Sequence, residues 1–246
     1  MKRKAILLNY EDPGLMTGKD VNDFSMFLQS NAGGAWYASE IVAYTNISLS
    51  DLNKLLDSTK SGKYDYVIMY FSGHGGCKRE TFIELNPEEE CIQIANLFNL
   101  GGRQLSIFDC CRSYPINESH SFAMDSLYKS ADDSEQLKAF IRERYDERVM
   151  RAMCQPIVLY ACSEGECAHD FGRGGIYTQN LLHACRNFTG SELLVSQAHI
   201  EAYDPTVQEA AKHQRNQHPD CFWVKLPARY QLPLALNVSA REGILS

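Results

Sequence analysis

The sequence predicts a three-layer α/β domain built on a mostly parallel sheet. Two observations carry this. Short apolar runs alternate with amphipathic helical periods along the whole chain, the pattern of strand–helix–strand crossovers. Two of the apolar runs then empty abruptly into small and polar residues. The continuous run over 66–71 leads into Ser72-Gly73-His74-Gly75-Gly76, and Leu105, Ile107 and Phe108 lead into Asp109-Cys110-Cys111-Arg112. In an open α/β sheet the carboxyl ends of the strands are where ligands bind.

In chain order, residues 4–9 read as the first strand, and Glu11-Asp12-Pro13-Gly14 turns out of it. Val21, Phe24, Phe27 and Leu28 recur at helical spacing over 20–28, and Asn31-Ala32-Gly33-Gly34 ends that helix. Residues 40–45 suit a second strand. Ser48 and Asp51 resemble a capping box ahead of Leu49, Leu52, Leu55 and Leu56, which share one helical face. The third strand covers 64–71. Residues 81–85 suit an edge strand broken by Asn86-Pro87, and 90–98 a short helix. Gly101-Gly102 precedes the fourth strand, 104–108, and a polar insert follows over 114–133. Leu137, Phe140, Ile141, Tyr145, Val149 and Met153 then mark an amphipathic helix. Its outer face carries Arg142, Arg144, Arg148 and Arg151, read as a solvated surface. Gln155-Pro156 stops it, and 157–161 is the fifth strand. Another helix lies within 190–214, with late strands over 222–226 and 232–236.

At 246 residues and 44% apolar, the chain can bury a sizeable core as one domain, 1–246. The formal net charge of -7, without a long basic run, argues against nucleic acid as a partner. Met1-Lys2-Arg3-Lys4 looks like the start of an export signal, but the apolar run over 5–8 is too short for one. No segment reaches the ~18 apolar residues of a membrane span, so no membrane partner is expected. The nine cysteines are an odd number with no Cys-x-x-Cys pair, which suits free thiols in a reducing cytoplasm. The spacing of Cys162 and Cys167 is not a familiar zinc pattern, and no metal or cofactor is expected.

The two strand ends supply an imidazole and a thiol, the pair that nucleophilic cysteine chemistry needs. Alone, each has a plain structural reading: a buried small hydrophobe for the cysteine, a turn residue for the histidine. Together they resemble a known family. Caspases carry Gln-Ala-Cys-(Arg/Gln/Gly)-Gly with a histidine upstream. This chain has Asp109-Cys110-Cys111-Arg112-Ser113, with His74 upstream in a Ser-Gly-His-Gly turn. The Asp at the first position looks more like metacaspases and their bacterial relatives. Arg112 departs from the His usual there, and Ser113-Tyr114 from a common Gly. Residues 161–170 and 175–178 also resemble the turn and helix start after the fifth strand of such peptidases, with Glu166 where Gln is frequent. The resemblance spans about 4–236 and implies a caspase-like three-layer α/β/α sandwich with a mostly parallel six-stranded sheet, and an insert over 114–155.

By that resemblance Cys111 is the nucleophile and His74 the base, with Cys110 a bystander. The oxyanion hole is formed by the backbone N–H groups of Gly75 and Cys111; Gly75 would leave the scissile carbonyl an open approach. Asp109 would line the pocket for the residue before the scissile bond (P1). A carboxylate there repels an acidic P1 and suits Arg over Lys, because a guanidinium forks onto it. The competing reading of Asp109 is a loop cap bonded to backbone N–H groups. Ser72 and Asp20 are the further pocket candidates, with Asp23 and Glu164 behind them. His120, His183, His199, His213 and His218 read as structural or surface groups, while His169 lies near the presumed active edge. No EF-hand-like calcium loop is present, although some metacaspases are calcium-activated. The implied partners are a protein substrate and a regulatory or activating protein, in a bacterial defence or cell-death setting, with self-cleavage within 114–153. Two other readings are a catalytically silent caspase-fold binding module and a flavodoxin-like nucleotide binder; the latter lacks a Gly-rich phosphate loop after the first strand.

Overall fold

Strands buried on both faces read as unbroken apolar runs, because successive side chains must cover opposite sides of the sheet. The computed structural model describes residues 1–113 and 135–237. Strand β1 (Arg3–Asn9) is followed by α1 (Thr17–Gln29), β2 (Ile41–Thr45), α2 (Leu49–Ser61) and β3 (Tyr64–Ser72). Three short strands come next, β4 (Gly75–Cys77), β5 (Thr81–Glu84) and β6 (Cys91–Gln93), and then β7 (Gly101–Asp109). The remainder is α3 (Glu135–Arg151), β8 (Pro156–Tyr160), α4 (Ile176–Asn187), β9 (Glu192–Leu194), α5 (Val195–Lys212), β10 (Asp220–Phe222) and β11 (Pro233–Leu236).

The central sheet has six strands in the order β10-β8-β7-β3-β1-β2. All neighbours are parallel except β10, which runs antiparallel to β8. Alternation assigns the faces. Ala5, Leu7, Ile68, Tyr70, Leu105 and Ile107 meet α1, α3, α4 and α5 on one side. Ile6, Leu8, Met69, Phe71 and Phe108 meet α2 and the small β4-β5-β6 sheet on the other. These are the three layers the sequence predicts. Ser48 caps α2 by accepting the Asp51 N–H at 3.1 Å.

Several expectations change. The short helix expected over 90–98 is strand β6 followed by a 3-10 turn, Ile94–Leu97. Ile92 alone turns inward between exposed Cys91 and Gln93, the period of a strand rather than of a helix. The segment 190–214 opens with β9 because Leu193 pairs with Ala235 and Leu194 with Pro233 before the helix begins. The strand expected over 222–226 lies earlier, at β10, in register with β8. The arginine face of α3 is only partly solvated: Arg142 reaches Glu40, and Arg148 reaches Glu192 and the Gln231 carbonyl. Arg144 and Arg151 do sit in solvent, beside Glu147. The polar insert over 114–133 lies outside the described residues. The helix after it packs into the main core through Ile141, Tyr145 and Val149, all nearly inaccessible.

Candidate active site

Strand register builds the site. Asn9, Ser72 and Asp109 stand side by side across β1, β3 and β7, and each closes its strand. His74 and Cys111 each follow two residues beyond that row, so one edge of the sheet receives both. Backbone bonds fasten the two loops: Gly73 N–H donates to Asp109 O at 3.1 Å, and Cys77 N–H to Ser113 O at 3.0 Å. Glycine at 75 has a packing reason besides substrate access. A Cβ there would stand 2.8 Å from the Phe82 carbonyl oxygen and 2.9 Å from Cys110 Sγ.

The two adjacent cysteines differ. Cys110 is buried beneath the loop, and burial pushes its thiol up. Cys111 is partly exposed and donates to the Ala168 carbonyl at 3.7 Å. A hydrogen bond with the Cys167 thiol, and then burial, push the Cys111 thiol well above the usual range. Cys167 also meets Ser113 Oγ at 3.2 Å. The resting nucleophile candidate is therefore a thiol, and it needs a base to become a thiolate. His74 places Nε2 3.1 Å from Asp12 Oδ2, and the Tyr10 ring meets it edge-on at 4.8 Å.

The three pocket candidates come together at the start of α4. Asp20 Oδ2 accepts from Ser72 Oγ at 3.0 Å and from Gly175 N–H at 2.8 Å, and its Oδ1 accepts from Gln179 Nε2 at 2.9 Å. Asp109 Oδ2 accepts from Thr178 N–H at 3.0 Å and Thr178 Oγ1 at 2.6 Å. Asp109 thus caps the first turn of α4 in addition to any role toward substrate. All five donors are neutral. Burial pushes Asp109 up to about 6. Burial, and then the Asp109 charge, push Asp20 well above the usual carboxylate range. Glycines cover both groups: Gly174, at φ +93°, would bring a Cβ 2.2 Å from Asp20 Oδ1, and a Cβ at Gly175 would stand 2.3 Å from Asp109 Oδ2. Of the residues expected behind the pocket, Asp23 shares Gln179 with Asp20, whereas Glu164 faces away and accepts from Arg112 at 3.0 Å.

Arg112, the departure from the metacaspase pattern, is a buried rivet. It donates to Thr81 Oγ1, the Cys162 carbonyl and Asp220, and lies 3.9 Å over the Tyr160 ring. The loop after Cys111 is held by this side chain and by Arg112 N–H donating to Glu166 O at 2.9 Å. Glu166 in turn binds His218 Nδ1 at 2.6 Å. His199 is buried against the Tyr177 hydroxyl at 2.8 Å, and burial lowers it to about 4. His213 and His169 both stack on the Phe171 ring, with centroids 3.7 Å and 5.9 Å away. His183 bonds Asn187 on α4, and His120 lies outside the described residues. Sequence reading missed Asp12, Cys167 and Thr178. Asp12 left a trace as a carboxylate just past the end of a strand on the active edge, and Cys167 and Thr178 fall inside the segments 161–170 and 175–178 that carry the resemblance.

Among the described residues no helix is long and apolar enough to cross a membrane, and no cluster of three or more His, Cys, Asp or Glu could hold a metal ion. The crystal structure of caspase-1 from Spodoptera frugiperda shares this fold, with a TM-score of 0.57 at 13% identity over 90% of this chain and 86% of that one. A search of curated proteins finds no match. A family model for the caspase domain of C14 peptidases matches residues 2–227. A histidine and a cysteine at adjoining strand ends of a caspase fold, inside a family match of that extent, place the chain among the caspase-domain peptidases, cysteine hydrolases that act on proteins.

Proposed function

We propose that the protein is a cysteine endopeptidase that cuts after arginine in preference to lysine, with Cys111 as nucleophile and His74 as base. The observation that carries the reading is the shared row Asn9–Ser72–Asp109, which brings the His74 and Cys111 loops to one edge. His74 takes the Cys111 proton, the thiolate attacks the scissile carbonyl, and the oxyanion forms toward the N–H groups of Gly75 and Cys111. The imidazolium then protonates the leaving amine, and water releases the acyl group from sulfur.

The acidic pair supports the basic preference. Two buried carboxylates bonded only by neutral donors are mutually repulsive, and a guanidinium supplies the missing charge. Ser72 adds a polar wall through its bond to Asp20. Because Gly174 and Gly175 lie over both carboxylates, the segment 170–175 must move aside for P1 to enter. The resting protein is therefore latent, and a substrate or an activating protein partner lifts that segment, in a cytoplasmic defence or cell-death pathway.

Peptidyl chloromethyl ketones ending in Arg or in Asp test the assignment. With the activated protein, mass mapping should find the Arg probe on Cys111 alone. Labelling of Cys110 would reverse the register of the motif, and reaction with the Asp probe would overturn the pocket. No label with either probe would favour a silent binding module.

A further inference from the structure

The structure places a carboxylate on the ring of the proposed base, at a distance in sequence of 62 residues. Building on the reading of His74 as base, we propose that Asp12 is a positioning residue that makes a Cys111–His74–Asp12 triad. The chain leaving β1 runs beside the chain leaving β3: Tyr10 N–H donates to Ser72 O at 3.1 Å. Asp12 is three residues beyond Asn9 in the shared row, and its Oδ2 stands 3.1 Å from His74 Nε2.

Its loop is tied at several points. Asp12 Oδ1 accepts Gly14 N–H at 2.8 Å, and Leu15 N–H returns to Asp12 O at 3.0 Å. Thr17 Oγ1 donates to Tyr10 O at 2.7 Å, and Glu11 N–H to Asn46 Oδ1 at 2.8 Å. The Tyr10 ring packs against the imidazole in a T-shaped contact, with ring centroids 4.8 Å apart. Burial alone would raise Asp12, but the Gly14 amide and His74 outweigh it and hold the group below the usual carboxylate range. An ionised carboxylate only accepts hydrogen bonds, so the ring proton rests on Nε2. Nδ1 then carries the lone pair that takes the thiol proton, and the imidazolium formed during attack gains a negative neighbour. Glu84, Glu88 and Glu89 also bear on Tyr10, and Glu84 N–H donates to the His74 carbonyl.

Asp12→Asn separates orientation from loop folding. Its amide oxygen still accepts Gly14 N–H, while its NH₂ faces Nε2 and favours the opposite tautomer. Steady-state kinetics of wild type, Asp12→Asn, Asp12→Glu and His74→Ala on a P1-Arg peptide provide the test. We expect kcat to fall on the order of ten- to a hundredfold in Asp12→Asn with KM unchanged, a smaller loss than for a fully buried triad acid because this pair is about one-third exposed. Asp12→Glu should recover much of the loss. Wild-type kcat in Asp12→Asn beside an inactive His74→Ala would overturn the triad and leave the dyad. An active His74→Ala would overturn the base assignment itself.

Discussion

Asp12 and Asp109 flank the same two loops at the same edge of the sheet, yet their surroundings drive them in opposite directions. Asp12 is about one-third exposed, takes an amide N–H and faces an imidazole; these outweigh burial and favour its charge. Asp109 is 4% exposed and lies beside a second buried carboxylate, Asp20, so burial dominates and opposes its charge. Residue type is the same; access to water and the sign of the neighbours differ. One setting suits a group that must stay ionised to orient a base. The other is a charge deficit that a cationic side chain would complete.

The largest effect that would break this comparison is expected from Asp109→Asn. The amide oxygen can still accept from Thr178, but the charge is gone. Removing one partner of a buried charge pair costs about 2 kcal/mol or more, so kcat/KM for a P1-Arg peptide should fall roughly thirtyfold or beyond. A P1 peptide library run on wild type and variant measures it. An unchanged Arg-to-Lys ratio would return Asp109 to a purely capping role.

Titration sharpens the contrast. Asp109 is raised from 3.8 to about 6 in the folded protein, so the folded state binds its proton more tightly than the unfolded chain does. Its contribution to stability is present at low pH and is lost as pH rises through about 6. Arginine binding runs the other way, because it needs the ionised form: KM for P1-Arg peptides should fall as pH rises through about 6. Asp109→Asn should flatten both trends, measured as Tm and KM across that range. A parallel pH dependence of wild type and variant would remove Asp109 from both effects.

The smallest effect concerns the nucleophile. Cys167 is the first cause of the raised Cys111 thiol. Cys167→Ala should speed iodoacetamide alkylation of Cys111 severalfold at neutral pH, because more of it is thiolate. An unchanged rate would show that burial alone holds the proton.

The place of His74 and Cys111 just past two strand ends was legible in the sequence, because each follows an apolar run that ends abruptly and strand alternation is a local property of the chain. The faces of α1 and α2 were legible for the same reason, as was the succession of the central strands along the chain, whereas their order in the sheet was set by pairing. The helix expected over 90–98 failed where a few apolar residues fit two periods, and only pairing with β5 chose between them. What tertiary structure decided are the contacts between distant segments. Thr178 meets Asp109 across 69 positions, Gly175 meets Asp20 across 155, and Arg112 joins four separate segments. No periodicity encodes such partners. Asp12 shows the division most clearly: the turn that carries it is written in Glu11-Asp12-Pro13-Gly14, but its place on the imidazole exists only because β1 and β3 lie side by side in register.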